Sequence, residues 1–162
     1  MSLEQNISAA HRVLHDESAN LVSRLGDAHE LLAEAIAALE RLTLKPLDPT
    51  ALASARWRLS AANRARRAVW QDCYHFLLPL VDRPTAAALT EAKARDMDMA
   101  RASAAHLARW PARAAHAEWP AYCQASRAIR ARMSAAMQDG ERLLTPLLRM
   151  SAPRKSRPGL IA

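Results

Sequence analysis

Apolar residues recur along the first forty positions at helical spacing. Leu3, Ile7, Leu14, Leu21, Leu25, Leu32, Ile36 and Leu39 fall within about 60° of one another at about 100° per residue, which predicts one long amphipathic helix from Leu3 to Leu42. Gly26 offers this helix a place to bend. The segment Lys45-Pro46-Leu47-Asp48-Pro49-Thr50 is the first break, with Asp48 suited to an N-cap and Pro49 to the first helical position. A second stripe, Leu52, Leu59, Trp70, Cys73, Leu77 and Val81, predicts a helix ending near Val81, with Pro79 straining its last turn. Asp82-Arg83-Pro84-Thr85 reads as a turn, and Leu89, Ala100 and Leu107 mark a third helix from Thr85 to Trp110.

The pairs Trp110-Pro111 and Trp119-Pro120 bracket a short bridge, because a residue before proline is pushed out of the α region. A fourth helix follows from Ala121 to Leu148, with Tyr122, Ile129, Met133, Ala136, Leu143 and Leu147 on its apolar face. Short connections between long helices predict an all-α, antiparallel, up-down-up-down four-helix bundle spanning residues 1–150 as one domain. Residues 151–162 carry Pro, Gly and three basic side chains, and are expected to form a disordered basic tail.

Composition supports the helical class. Four Val, four Ile and five Thr are too few to cover sheet faces, while Ala, Leu, Arg and Glu favour helices. At 162 residues the chain is long enough to bury a core without disulfides or metals. The formal charge is +7, and twenty of the 23 basic residues are arginine. Such a balance permits attraction to acidic partners. With seven aromatic residues available for base stacking, nucleic acid is not the expected partner. No run of eighteen apolar residues is present, so no membrane span is expected, and a cytoplasmic location follows by default. Cys73 and Cys123 lie in different predicted helices, and reduced core thiols are expected ahead of a disulfide.

Polar residues that interrupt the stripes carry the candidate chemistry. Asn63 and Arg66 fall on the apolar face of the second helix, Asp96 on that of the third, and Glu17 on the flank of the first, with His11 and His29 on its other flank. Three arrangements are open: boundary residues whose heads reach water, an interior cluster of Glu17, Asn63, Arg66 and Asp96 in which Arg66 pairs with Asp96 or Glu17, or a ligand site. A metal reading uses His11, Glu17 and Asp96 with His106 contributing, and would take iron or zinc. His15 lies off the stripe, His75 points away from the core and His116 lies in the bridge. Met97, Met99, Met133 and Met137 are expected to line an apolar interior able to admit a small ligand. No nucleophile, base and orienting group can be assembled from spacing.

A weak internal echo runs along the chain, with Ala10-His11-Arg12-Val13-Leu14-His15-Asp16 in the first helix set against Glu91-Ala92-Lys93-Ala94-Arg95-Asp96 in the third. Phe76-Leu77-Leu78-Pro79-Leu80 and Leu143-Leu144-Thr145-Pro146-Leu147-Leu148 close the second and fourth predicted helices, and Ala9-Ala10-His11-Arg12-Val13-Leu14 opens the first. Together these resemble the hemerythrin-like cation-binding family over about residues 7–148. That resemblance implies a four-helix bundle with an early His in helices one and three, and His-x-x-x-Glu pairs in helices two and four. Of these ligands His11 matches. Val69 and Cys73 stand at the helix-two positions, Ala136 and Gly140 (with Glu141 adjacent) at the helix-four positions, and Ala92 or Lys93 at the helix-three position. The implied protein has kept the bundle and lost the di-metal site, and acts without a cofactor as a small-ligand-binding or regulatory module. Its partner would be a protein or small molecule, and its state a monomer or homodimer. Separately, His15-Asp16-Glu17 followed by Asn20-Leu21 resembles the phospho-accepting box of histidine phosphotransfer helices, in which an exposed His takes a phosphoryl group beside an acid.

Overall fold

The computed structural model describes residues 3–151, with side chains from Ile7 onward; the predicted tail at 152–162 lies outside them. Every regular element among the described residues is a helix: α1 (Leu3–Thr43), α2 (Pro49–Leu77), α3 (Arg83–Arg109), α4 (Ala112–Ala117) and α5 (Trp119–Ser151). None is long and apolar enough to cross a membrane.

Local chemistry sets the boundaries. The Asp48 carboxylate accepts from the Ala51 amide at 2.9 Å, and Pro49 starts α2 where no amide partner is required. Asp82 does the same for α3 through the Thr85 amide at 3.0 Å, so α3 begins at Arg83 and absorbs the predicted turn. The Thr85 side chain first, and then its amide, hold the Asp82 carboxyl below the usual range. The second helix ends at Leu77 rather than near Val81. Pro79 has no amide hydrogen to donate and its ring collides with the preceding turn, so a tight turn with Leu80 N–H donating to Leu77 O replaces the last helical turn. The bridge between the two Trp-Pro pairs is the short helix α4. Pro120 and Pro146 are both accommodated in α5, Pro120 in its first turn. α1 runs through Gly26 without interruption.

α1 and α2 share the most extensive helix–helix contact, followed by α1 with α5 and α3 with α5. Leu21 and Leu25 of α1 pack with Trp70, Cys73 and Leu77 near the end of α2, together with Leu89, Leu144 and Leu148. At the other end, Leu39 packs with Leu52, Ala55, Trp110, Ala115 and Tyr122. Leu32, Met99, Ile129 and Met133 form a third cluster, which shares Leu59 with the second. The Ser18 hydroxyl donates to the Leu148 carbonyl, tying α1 to the last turns of α5.

The face of the last helix differs from the predicted one. Leu144 and Leu148 are fully buried while Leu143 and Leu147 are partly covered, and Ser126 and Arg130 are buried too. α5 touches each of the other four helices, so its buried surface is wider than a single stripe. Met97 is exposed and does not line the interior as expected.

Candidate functional site

Arg66 and Asp96 meet inside the bundle. Asp96 Oδ1 accepts from Arg66 Nη2, and Oδ2 lies 3.3 Å from Arg67 Nε. Arg66 is 3% exposed and the Asp96 side chain 12%, so a near-buried guanidinium has a carboxylate facing it, as a buried charge requires. Glu17 is exposed and stands outside this pair, in correction of its place in the expected interior cluster; it lies one position before the buried Ser18, so the polar flank there turns to solvent. Asn63 is half-buried on the cleft described below.

The other sequence candidates scatter. His11 and His15 are exposed near the start of α1, with Asp16 Oδ1 3.5 Å from His15 Nδ1. His106 is near the end of α3, against Tyr122. His11, Glu17, Asp96 and His106 are therefore not gathered, and among the described residues no three His, Cys, Asp or Glu side chains converge as metal ligands. The positions that the hemerythrin-like resemblance designates in helices two and four do not fit a di-iron centre either. Val69, Cys73, Ala136 and Gly140 lie partly or wholly inside but supply no imidazole or carboxylate. Burial, the largest cause, pushes the Cys73 thiol up to about 11, which keeps it protonated and a poor metal donor. Cys73 and Cys123 are both free thiols.

A cleft of about 200 Å³ opens between α2 and α3. These two helices touch little along their length, although they are consecutive. α3 presents Ala100 and Ala104 to the space, side chains too small to fill it, while α2 lines it with Leu59, Ser60 and Asn63. Tyr122, Ile129 and Met133 of α5 form the apolar floor. Arg56, Arg64 and Arg67 also line it, and among the described residues no Asp or Glu does. Arg56 donates to the Trp110 carbonyl at 2.7 Å and lies 5.8 Å from the Tyr122 ring centre.

A second buried cation sits on α5, next in sequence to Ile129 of the floor. Arg130 is buried, and its hydrogen-bond partners are neutral: Ser126 Oγ at 2.6 Å and Thr43 Oγ1 at 3.2 Å. Two effects are felt at His106, whose pKa is lowered first by burial and then by the Arg56 and Arg130 charges, leaving a neutral imidazole near neutral pH. On the α3 wall, Ser103 Oγ is sequestered from solvent without a hydrogen-bond partner. An unpaired buried hydroxyl costs free energy, of order 1–3 kcal/mol, until something bonds to it.

The sequence places His29 on the flank of the α1 stripe, but its pattern singles out neither His29 nor Arg130 as a site residue. His29 is buried, with Glu141 Oε2 3.7 Å from Nδ1, too long for a hydrogen bond, and both ring nitrogens lack a hydrogen-bond partner. Arg130 repeats Ser126 at i+4, a spacing that places both on one flank of α5. That offset was the available signal, but the flank is polar and reads as solvated. Compared with protein-family models, curated proteins and solved structures, the chain matches none.

Proposed function

We propose that this protein is a helical binding module whose α2–α3 cleft takes a small amphipathic anion, a carboxylate carried on a body about the size of one aromatic ring. The observation that carries this reading is the lining: three arginines and no acidic residue around an apolar floor. Arg130, bonded to the neutral hydroxyls of Ser126 and Thr43, adds positive charge that is felt at His106 on the cleft lining. An apolar cavity of about 150 Å³ holds a benzene ring, so a volume of about 200 Å³ suits a ring and a carboxylate together. The body would rest on Leu59, Ile129 and Met133 while an arginine fork engages the carboxylate oxygens.

The architecture that goes with this reading is an up-down-up-down bundle of α1, α2, α3 and α5, of hemerythrin-like ancestry and working without a metal. It is supported by the opposed run of α1 and α2, in which Leu39 near the end of α1 packs at Leu52 near the start of α2 while Leu21 and Leu25 in mid-α1 pack at the end of α2, and by inward-facing, non-ligating residues at the family's helix-two and helix-four positions.

Isothermal titration of the full chain with benzoate, benzamide and benzylamine tests the reading. Benzoate is expected to bind with a dissociation constant of roughly 0.1–1 mM, as for a good ligand of nine heavy atoms. Benzamide should bind at least tenfold more weakly, since a charge-assisted hydrogen bond contributes about 1.5–3 kcal/mol. Arg64→Gln should weaken benzoate about tenfold, and Ala100→Phe should plug the cleft. Equal binding of the three compounds, or no saturable binding of benzoate, defeats it.

A second reading, phosphoryl acceptance by His15, is supported by the exposure of that imidazole and the nearby Asp16 carboxylate. Incubation with acetyl phosphate should add one phosphoryl group to the parent and none to His15→Ala; an unmodified parent removes it.

A further inference from the structure

The outer face of α1 and α2 lies away from the cleft and carries a different pattern. Trp57 is 68% exposed and Leu31 55% exposed, on opposite borders of a trough formed by Ala35 and Ala38 of α1 and Ala61 and Ala65 of α2. A solvent-facing Trp over a bed of alanines is the kind of surface that marks an interaction site.

The charge order along α1 identifies what would cover it. Exposed Glu30 and Glu34 precede the pair Ala37–Ala38, and exposed Arg41 and Lys45 follow it. Counted from the midpoint of that alanine pair, Glu34 and Arg41 are equidistant, and at about 100° per residue they lie within about 20° of one another on the helix face. A face with this order is complementary to itself when reversed: acid meets base at Glu34 and Arg41, and alanine meets alanine between them. An isologous two-fold contact makes that reversal, since residue i of one copy touches residue j of the other and the reverse.

We propose that the α1–α2 face is a homodimer interface, with a second copy of this chain docked antiparallel along α1 about a two-fold axis at Ala37–Ala38. The alanines allow close approach of the two α1 helices. Trp57, from the neighbouring helix of each copy, closes over the alanine trough. Glu34 of each copy faces Arg41 of the other. The α1 face from Asp27 to Thr43 is about 24 Å long at about 1.5 Å per residue. Two helices side by side are about 20 Å wide, giving roughly 1,000 Å² buried in total, near the lower bound for a specific interface. A reversible dimer is therefore expected, not an obligate one.

Sedimentation equilibrium of the full chain from about 1 to 200 μM, a range that brackets a weak specific interface, tests this. The parent should fit a monomer–dimer equilibrium with a dissociation constant of roughly 1–50 μM. Glu34→Arg and Arg41→Glu should each weaken it at least tenfold by placing like charges opposite one another. The double variant E34R/R41E should return to within about threefold of the parent, because the swapped charges meet again across the axis. Trp57→Ala should also weaken it at least tenfold. Unchanged helicity by circular dichroism keeps these readings separate from unfolding, as all three side chains are exposed. A monomeric parent across the range, a dimer indifferent to Glu34→Arg, or a double variant as weak as the single ones would each overturn the proposal.

Discussion

Helix α2 has two working sides, and they are built differently. Against α1 it packs Leu52, Ala55, Trp70, Cys73 and Leu77 into close contact with Leu21, Leu25 and Leu39. Towards α3 it turns Arg56, Arg64 and Arg67, and a cleft of about 200 Å³ separates the two helices. Protein interiors are normally packed to the density of organic crystals, so a space of that size between consecutive helices is a departure from what packing alone produces. One side of α2 makes the fold stable. The other holds the Arg66–Asp96 pair and keeps the helices apart.

Truncation on the packed side should show the largest effect. Leu25→Ala removes a fully buried side chain and is expected to cost about 4 kcal/mol in urea denaturation. Leu59→Ala, on the cleft wall and already partly open, should cost about 1–2 kcal/mol. Equal losses would erase the distinction between the two sides. Next, Asp96→Ala leaves Arg66 buried without its carboxylate and should cost about 3 kcal/mol. Pairing it with Arg66→Met should recover most of that loss, because the uncompensated charge goes with it; no recovery would mean that Asp96 acts in another way.

Acidification probes the same level of the bundle. Burial is the main cause that lowers the His29 pKa; Glu141 opposes it and Arg66 adds to it. The unfolded chain therefore takes up this proton at higher pH than the folded one. Stability from this group is level above its unfolded pKa of about 6.5 and falls as the pH drops below that value, until folded His29 is itself protonated. His106 acts in the same direction. Thermal melts between about pH 7.5 and pH 5.5 should show a smaller loss for His29→Leu than for the parent. An identical slope would assign the acid sensitivity elsewhere. The smallest effect separates two glycines. A Cβ at Gly26 would meet nothing within 4 Å, so Gly26→Ala should gain about 0.5–1 kcal/mol from helix propensity. A Cβ at Gly140 would lie 3.1 Å from the Trp70 indole nitrogen, so Gly140→Ala should lose that gain. A larger gain at Gly140 would show that Trp70 has room to move.

Hemispheric differences of this kind were only partly legible beforehand. The leucine stripes, the Asp48-Pro49 cap and the Trp-Pro stops placed the long helices to within about four residues at each end, because those signals act within one or two turns of chain. Arg66 and Asp96 were legible as polar residues on apolar faces, for the same local reason, but whether Arg66 would meet Asp96 or Glu17 was open. Their meeting depends on the angle at which α3 reaches α2, and no local pattern encodes that angle.

The order of apolar and polar positions determined by itself that this chain is helical, roughly where its long helices start and stop, and that Arg66 and Asp96 lie on apolar faces. The tertiary structure decided that Glu17 faces water, that His29 and Arg130 are covered, and that α2 and α3 stand far enough apart to leave a cationic cleft. The reason is one of range. Helical periodicity fixes where a side chain lies around its own axis, while burial on a flank depends on how closely a neighbouring helix approaches, and that distance is set by the side chains of both.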